Sequence, residues 1–314
     1  MLQSTLLEFA TNGKRIRADQ FLEEMEKAIP WGRFLGLICP KYYKKEDNRG
    51  RKRADLETLL RIYFLQQWFS LSDLSAEEMV HDRLSFRRFI HIDICETSLD
   101  ETTIGKFRNF LEENHLTEKM FGIVRRILEE KGLLIKDGTC TDATIIKAPS
   151  STKNQEKKRD PEMSSTKKGA NYQFGMKAHI GTDAKSKLIH TVKTTTAKVH
   201  DSEVFDELLH GEEHAVFADK AYANKEKKRQ WRQQGNYWGV QEKATKGRTL
   251  SSAQKKKNRK HSSVRSGVEH PFHTIKCLWK YQKVRYKGLF KNTVQIFTLC
   301  FLANLHRVRH SFTP

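Results

Sequence analysis

Residues 139–146 read TCTDATII, and the fold turns on them. The run is rich in β-branched residues, which favour a strand. Its acid, Asp142, is flanked by Thr, Ala and Ile with no Gly or Pro to mark a turn. Upstream the pattern is helical. RADQFLEEMEKAI, RADLETLLRIYFLQQWF, SAEEMVHDRLSFRRFI and ETTIGKFRNFLEENH all place apolar residues at spacings of three and four. Ser75, with Glu78 three residues on, reads as a capping box for the third of these. The short polar link SLSDL between the second and third, followed by Arg83, Arg87 and Arg88, reads as a helix-turn-helix DNA reader or equally as a helical bundle with a solvated basic face.

Downstream the period changes to two. Phe174, Met176, Ala178 and Ile180 alternate up to the turn TDAKSK, and Leu188, His190 and Val192 resume after it, which predicts a β-hairpin. HDSEVFDELL then reads as a helix capped by Asp201 or Ser202, HAVFAD as a strand, KEKKRQWRQQ as a helix and NYWGVQ as a strand. Two helical stretches close the chain. This order predicts an α/β fold, a mixed sheet flanked by helices, preceded by an all-helical domain over about residues 1–130, with the sheet domain over 131–310. Stretches 149–171 and 243–263 are polar and rich in Lys and Ser, and read as mobile basic loops.

The formal net charge of +20, from 58 Lys and Arg against 38 Asp and Glu, points to a polyanionic partner. Nucleic acid leads; a packing protein of the nucleoid or ribosome would satisfy the charge as well. Five cysteines, an odd number without a C-x-x-C pair, read as free thiols in a reducing cytoplasm. The start MLQSTLLEFATNGKRIR has no secretory pattern. The apolar run at 294–305 is interrupted by Gln295, Thr298 and Asn304 and is shorter than the ~20 residues a membrane span needs.

Three acids can converge in such a fold: Asp142 in the first strand, Asp219 at the end of AVFAD, and Glu269 in GVEHPFHTIK. Strand ends and an adjacent helix meet at one edge of an open α/β sheet. Carboxylates there suit Mg²⁺ or Mn²⁺, and two such ions can activate an attacking hydroxyl and stabilise the oxygen leaving a phosphodiester. Plainer roles are open too: Asp219 as a helix cap, Glu269 as the i,i+4 partner of Arg265. Asp137 and Asp183 read as turn residues. Val264, Val268, Phe272, Ile275 and Trp279 form a buried stripe at helical spacing, which sets Arg265, Glu269 and Lys276 together beside it. Pro271 cannot donate to Gly267, so the helix kinks or begins near it.

Taken together, LSDLSAEEMVHDRLSFRRFI, LDETTIGKFRNFLEEN, TDATIIKAPSS, GMKAHIGTD, VHDSEVFDELL, ADKAYAN and VEHPFHTIKCLWKYQKVRYKGLFKN resemble the DDE transposases of bacterial insertion sequences, specifically the IS5 group within the IS4-like class. The resemblance covers nearly the whole chain. It implies an RNase H-like fold in which Asp142, Asp219 and Glu269 bind two divalent metals, Mg²⁺ or Mn²⁺. It implies that a metal-activated water and then a freed DNA 3′-hydroxyl attack phosphodiesters. The family's signature of Tyr, Arg, Glu and Lys maps onto Arg265, Glu269 and Lys276, with Ser262 where the family has tyrosine. Arg265 and Lys276 are expected on DNA phosphates, as are Arg285 and Lys287 in the same stretch, and the amino-terminal helices on terminal inverted repeats. Double-stranded DNA, as element end and as target, is the expected partner, with at least a dimer needed to join two ends. A DNA-binding relic without catalysis and a host nuclease of the same fold are the competing readings.

Overall fold

The computed structural model describes residues 16–43, 53–93, 96, 99–153, 155, 157–169, 171–244, 247 and 249–312. Cys95, Lys246, Arg248 and the start of the chain read above lie outside the described residues. The chain divides into two compact units, one up to Leu116 together with the residues from Leu305, the other Thr117–Asn304.

In the first unit the helices are α1 (Arg17–Ala28), α2 (Trp31–Tyr42), α3 (Leu56–Phe69), α4 (Asp73–Asp82), α5 (Leu84–Phe89) and α6 (Glu101–Glu113). Helix α3 is its axis: Leu59 to Trp68 are all buried, which its apolar composition on every side requires. Arg61, 1% exposed, sits inside. Its guanidinium lies 3.9 Å from the centre of the Trp31 ring and donates to Glu57, Glu26 and the carbonyl of Phe89, so the buried charge is fully paired.

Several expectations change here. The Ser75 capping box is replaced by Ser72, whose hydroxyl accepts from the Ser75 amide, and the long third segment breaks at Arg83 into α4 and α5. Helix α2 has no counterpart among the segments expected from the sequence. In the pair read as a helix-turn-helix or a bundle, α3 is enclosed and α4 carries Asp73, Glu77, Glu78 and Asp82. Of the three arginines, Arg87 is 5% exposed and donates to the carbonyls of Asp93 and Glu96, so it holds a loop instead of facing a partner. Arg83 and Arg88 are exposed, Arg83 lying 5.2 Å from the Phe86 ring centre.

The second unit opens with α7 (Leu116–Glu130), also absent from the expected segments, and then builds a six-stranded mixed sheet. Strands β1 (Gly138–Lys147), β3 (Asn171–Asp183) and β4 (Ile189–Thr196) form an antiparallel meander, Asp142 standing opposite Ile180 and Ile180 opposite Val192. Short β2 (Ser164–Lys168) pairs with the start of β3, so a strand occupies part of the expected loop 149–171. Strands β5 (Ala215–Phe217) and β6 (Tyr237–Trp238) add on the other side of β1, both parallel, joined by α8 (Lys225–Gln233). Three antiparallel strands followed by two parallel to the first, with helices between and after them, are the RNase H-like arrangement.

The predicted helix at 200–209 is instead two short 3₁₀ turns, Asp201–Glu203 and Asp206–Leu208. His200 caps the first, and Val204, Phe205 and Leu208 all turn inward. Phe205 meets Val216, Ala218, Tyr222 and Trp238 in a core beside β5. The second basic stretch is helical as well: α9 (Ser252–Arg265) starts at Ser251, whose hydroxyl accepts from the Gln254 amide while the Gln254 side chain accepts from the Ser251 amide. A 3₁₀ turn (Ser266–Val268), α10 (Glu269–His273) and a π turn (Thr274–Leu278) carry the helical path onward, and α11 (Leu289–Val308) ends it. The missing amide of Pro271 falls at the third residue of α10, just past the 3₁₀ turn that holds Gly267. Val268, Ile275 and Trp279 of the expected stripe are buried, and Val264 and Phe272 are half-buried. Among the described residues no helix is long and apolar enough to cross a membrane.

Candidate active site

Strand β1 pairs with β5 only over Gly138–Cys140, so Asp142 comes two residues past the end of that ladder. Asp219 comes two residues after β5 ends. Ala218 before it and Tyr222 after it are anchored in the core, which fixes the backbone between them. The Asp219 carboxylate accepts from the Lys220 amide as cap of a 3₁₀ turn, Lys220–Tyr222, so the plainer role predicted for it is also realised. Helix α9 packs against both β1 and β5 and brings in the third acid. The Cys140 thiol lies 3.7 Å from the Val264 carbonyl, which also accepts from Lys187 at 3.3 Å. A side chain on Gly267 would sit 2.3 Å from the Lys187 stem, so glycine is what lets that lysine lie under the turn before Glu269.

Arg265 ties the first and third acids together. One guanidinium nitrogen donates to Asp142 at 2.9 Å and another to Glu269 at 3.1 Å. The two arms differ in setting: Asp142 and Arg265 side chains are 23% and 17% exposed, and Glu269 is 61% exposed. Burial raises the pKa of Asp142, opposed by the Ala143 amide and Arg265 and reinforced by the negative charges of Asp219 and Asp201. Tyr222 is likewise pushed up, first by burial and then by Asp201, Asp142 and Asp219, and its hydroxyl has no hydrogen-bond partner among the described residues. These charges place Asp201 as a fourth acid of the neighbourhood. The sequence suggests only a helix cap there; the partner that positions it, Lys177, which donates to it at 2.8 Å, is far away in the chain.

The cations expected on DNA phosphates are otherwise engaged in this state. Lys276 donates to the Thr144 hydroxyl and the Ile145 carbonyl, each at 2.9 Å, pinning the π turn to β1. Arg285 and Lys287 do not join the acids; they lie with loop 149–160 around a separate cavity. Ser262 is half-buried on α9.

Among the described residues no three His, Cys, Asp or Glu side chains are grouped as metal ligands. The donor chemistry nonetheless fits a hard divalent cation: the acids offer only carboxylate oxygens, they repel one another in a half-buried place, and a guanidinium already lies between two of them where positive charge is required.

The RNase H-like sheet thus carries these acids on its first strand, after its fifth and on the helical path after its sixth. The Transposase DDE domain family matches residues 134–305, and the Transposase domain (DUF772) family matches residues 11–110. The chain belongs to the DDE transposase family. Among solved structures it shows a slight likeness to one described as the crystal structure of the Mos1 strand transfer complex, at 12% identity over 77% of this chain and 82% of that one, with a TM-score of 0.21.

Proposed function

We propose that this transposase cuts DNA at the ends of its own element and joins the freed 3′ ends to a target, with Asp142, Asp219 and Glu269 holding Mg²⁺ or Mn²⁺, as two ions. The observation that carries the reading is the convergence of Asp142 and Glu269 on one guanidinium, with Asp219 close enough to raise the pKa of Asp142. Bound metal would supply an activated oxygen nucleophile and charge stabilisation at the leaving oxygen. The protein's own part is positional. Strand β1 and the anchored turn after β5 fix two carboxylates, and Glu269, 61% exposed, stands on the surface of the helical path. Arg265 neutralises two of the acids here, and beside bound metal its guanidinium would be placed to hold a phosphate.

The helical residues 1–130 are assigned to recognition of the terminal inverted repeats and residues 131–310 to catalysis, working in the cytoplasm as a dimer or larger assembly on DNA. Within the family, the TDATI, ADKAY and VEHPF segments support the IS5 group.

The test is cleavage and strand transfer on a labelled duplex carrying the element's terminal repeat, with Mg²⁺ or with EDTA, comparing the unsubstituted protein, Glu269→Gln and Asp142→Ala. Cutting at the repeat's end that needs metal and is lost in both variants, with DNA binding kept, supports the reading. Binding by the unsubstituted protein without cutting leaves a DNA-binding relic, and binding lost as severely as cutting in Asp142→Ala contradicts the assignment of that residue.

A further inference from the structure

The first part of β3 stands outside the main sheet. Its ladder with β1 begins at Gly175 and that with β4 at Met176, so Asn171–Phe174 are carried as a ribbon by β2, with Ser165 opposite Phe174 and Lys167 opposite Tyr172. A side chain on Gly175 would run into the Ile146 carbonyl, so the root of the ribbon lies hard against β1. Side chains two apart on a strand share a face, about 7 Å from one another along it. Tyr172 and Phe174 therefore stand side by side. Tyr172 is 75% exposed, more than any other large hydrophobic side chain among the described residues, and Phe174 is half-buried. Each ring has its own cation: the Lys167 ammonium lies 5.8 Å from the centre of Tyr172 and the Arg159 guanidinium 5.6 Å from the centre of Phe174. Arg159 donates to the Ser150 carbonyl at 2.8 Å, which holds it there. The segment Ser164–Gly175 contains no Asp or Glu. Of the acids just before it, among the described residues, Asp160 accepts from the Gly288 amide at 2.7 Å and Glu162 from the Leu289 amide at 2.5 Å.

We propose that this ribbon is a stacking platform for unpaired bases of a DNA strand, Tyr172 and Phe174 taking the bases and Lys167 and Arg159 facing the phosphates beside them. The proposal rests on the DNA-cutting reading above and adds to it a second surface and a second form of substrate, single-stranded DNA. Bases inside a duplex have both faces covered by their neighbours, so exposed rings select bases that have left the helix. Aromatic rings interleaved with cations suit such a strand whatever its sequence, because every base has a π-face. A protein partner fits the surface poorly. Docking of a protein takes about 800 Å² on each side around an apolar centre, and beyond its two rings the ribbon offers mostly Ser, Thr, Lys, Asn and Gln. The rings are also remote from the acids: Tyr172 is eight residues, about 27 Å, along β3 from Ile180, which stands opposite Asp142. The platform therefore takes strand freed at an element end, several nucleotides from the cut bond.

The experiment uses the full chain in EDTA and two labelled single strands of about 16 nucleotides, one of thymidines and one of abasic sites, which keeps the phosphates and lacks the bases. The unsubstituted protein is compared with Tyr172→Ala, Tyr172→Phe and Lys167→Gln, each checked for an unchanged thermal midpoint. Losing one stacked base should weaken binding of the thymidine strand by Tyr172→Ala about 5- to 150-fold. The slope against salt should stay as it was, and Tyr172→Phe should bind within about twofold of the unsubstituted protein. The abasic strand should bind Tyr172→Ala and the unsubstituted protein alike. Lys167→Gln should instead lower the slope of log affinity against log salt by about 0.7. Equal binding of the thymidine strand by Tyr172→Ala and the unsubstituted protein overturns the platform. So does an equal loss on both strands, an unchanged slope in Lys167→Gln, or failure of the unsubstituted protein to bind the thymidine strand. Metal-dependent cutting of the terminal-repeat duplex, run alongside with the unsubstituted protein, keeps the DNA-cutting reading in place in each of those cases, and its absence overturns that reading separately.

Discussion

Arg265 joins two acids that stand in different surroundings, and removing it should separate their contributions. The bond to Asp142 is a charge-assisted pair between side chains only 17% and 23% exposed, 2.9 Å long. Such a bond contributes about 1.5–3 kcal/mol. The bond to Glu269 reaches a side chain 61% exposed along a helical i,i+4 spacing, where a pair contributes about 0.3–0.5 kcal/mol. In metal-free buffer Arg265→Ala should therefore destabilise the second unit by about 2–3 kcal/mol, and Glu269→Gln by less than about 0.5 kcal/mol. Asp142→Asn should cost less than Arg265→Ala, because it removes a carboxylate whose burial and acidic neighbours already disfavour its charge. The assay is a pair of double-mutant cycles by urea denaturation, with hydrogen exchange at the β1 amides as the local probe. The expected coupling is about 1.5–3 kcal/mol for Arg265 with Asp142 and below about 0.5 kcal/mol for Arg265 with Glu269. Equal couplings, or one below about 0.5 kcal/mol for Arg265 with Asp142, would refute the claim that the guanidinium is held chiefly by the strand acid.

Other substitutions probe the frame. Burial holds His190 down at about 3 and His179 and His306 at about 4, so each stays neutral when folded and charges near pH 6.5 when unfolded. A base with a lowered folded pKa adds stability above its unfolded pKa and loses it as pH falls. Urea midpoints should therefore drop from about pH 6.5 toward pH 4, and His190→Gln should remove up to about 1.4 kcal/mol per pH unit of that slope. Gly181→Ala would place a methyl 2.4 Å from the Leu208 carbonyl oxygen and 2.8 Å from the His190 ring, and should cost about 1–3 kcal/mol, seen as a lowered thermal midpoint. Ser251→Ala removes the cap of α9 and should cost about 1 kcal/mol, with faster amide exchange confined to the first turn of that helix.

The hairpin is legible in the sequence because apolar Met176, Ala178 and Ile180, all 2% exposed or less, alternate with polar residues at a period of two, although Lys177, His179 and Thr182 are buried as well. Helix α9 is not legible, because a helix that buries only His261 has no apolar stripe to show, and its one local sign is the Ser251 and Gln254 pair. The turns at 201–208 mimic a helix since Val204, Phe205 and Leu208 fit helical spacing, while the chain there is bent by contacts with β5 and Lys177 that no local window contains. Asp142, Asp219 and Glu269 stand out by their segments. What the segments do not carry is that Arg265 faces inward to the acids and Lys276 to the strand, since both depend on how far β1 extends past β5.

The helical path through Glu269 changes its winding twice. The 3₁₀ turn Ser266–Val268 overwinds the backbone by about 20° per residue relative to an α-helix, and the π turn Thr274–Leu278 unwinds it again. Glu269 sits between the two, so its address is an angle more than a distance. Inserting or deleting one residue between Arg265 and Glu269 would turn the carboxylate about 100° around the axis, away from Asp142, though it would move only about 1.5 Å along it. In contrast, a residue added after Lys276 would fall in a turn that already has the looser pitch of an absorbed insertion. Tolerance to changes of length along this path should therefore switch abruptly between its two halves, strict before the acid and forgiving after the lysine.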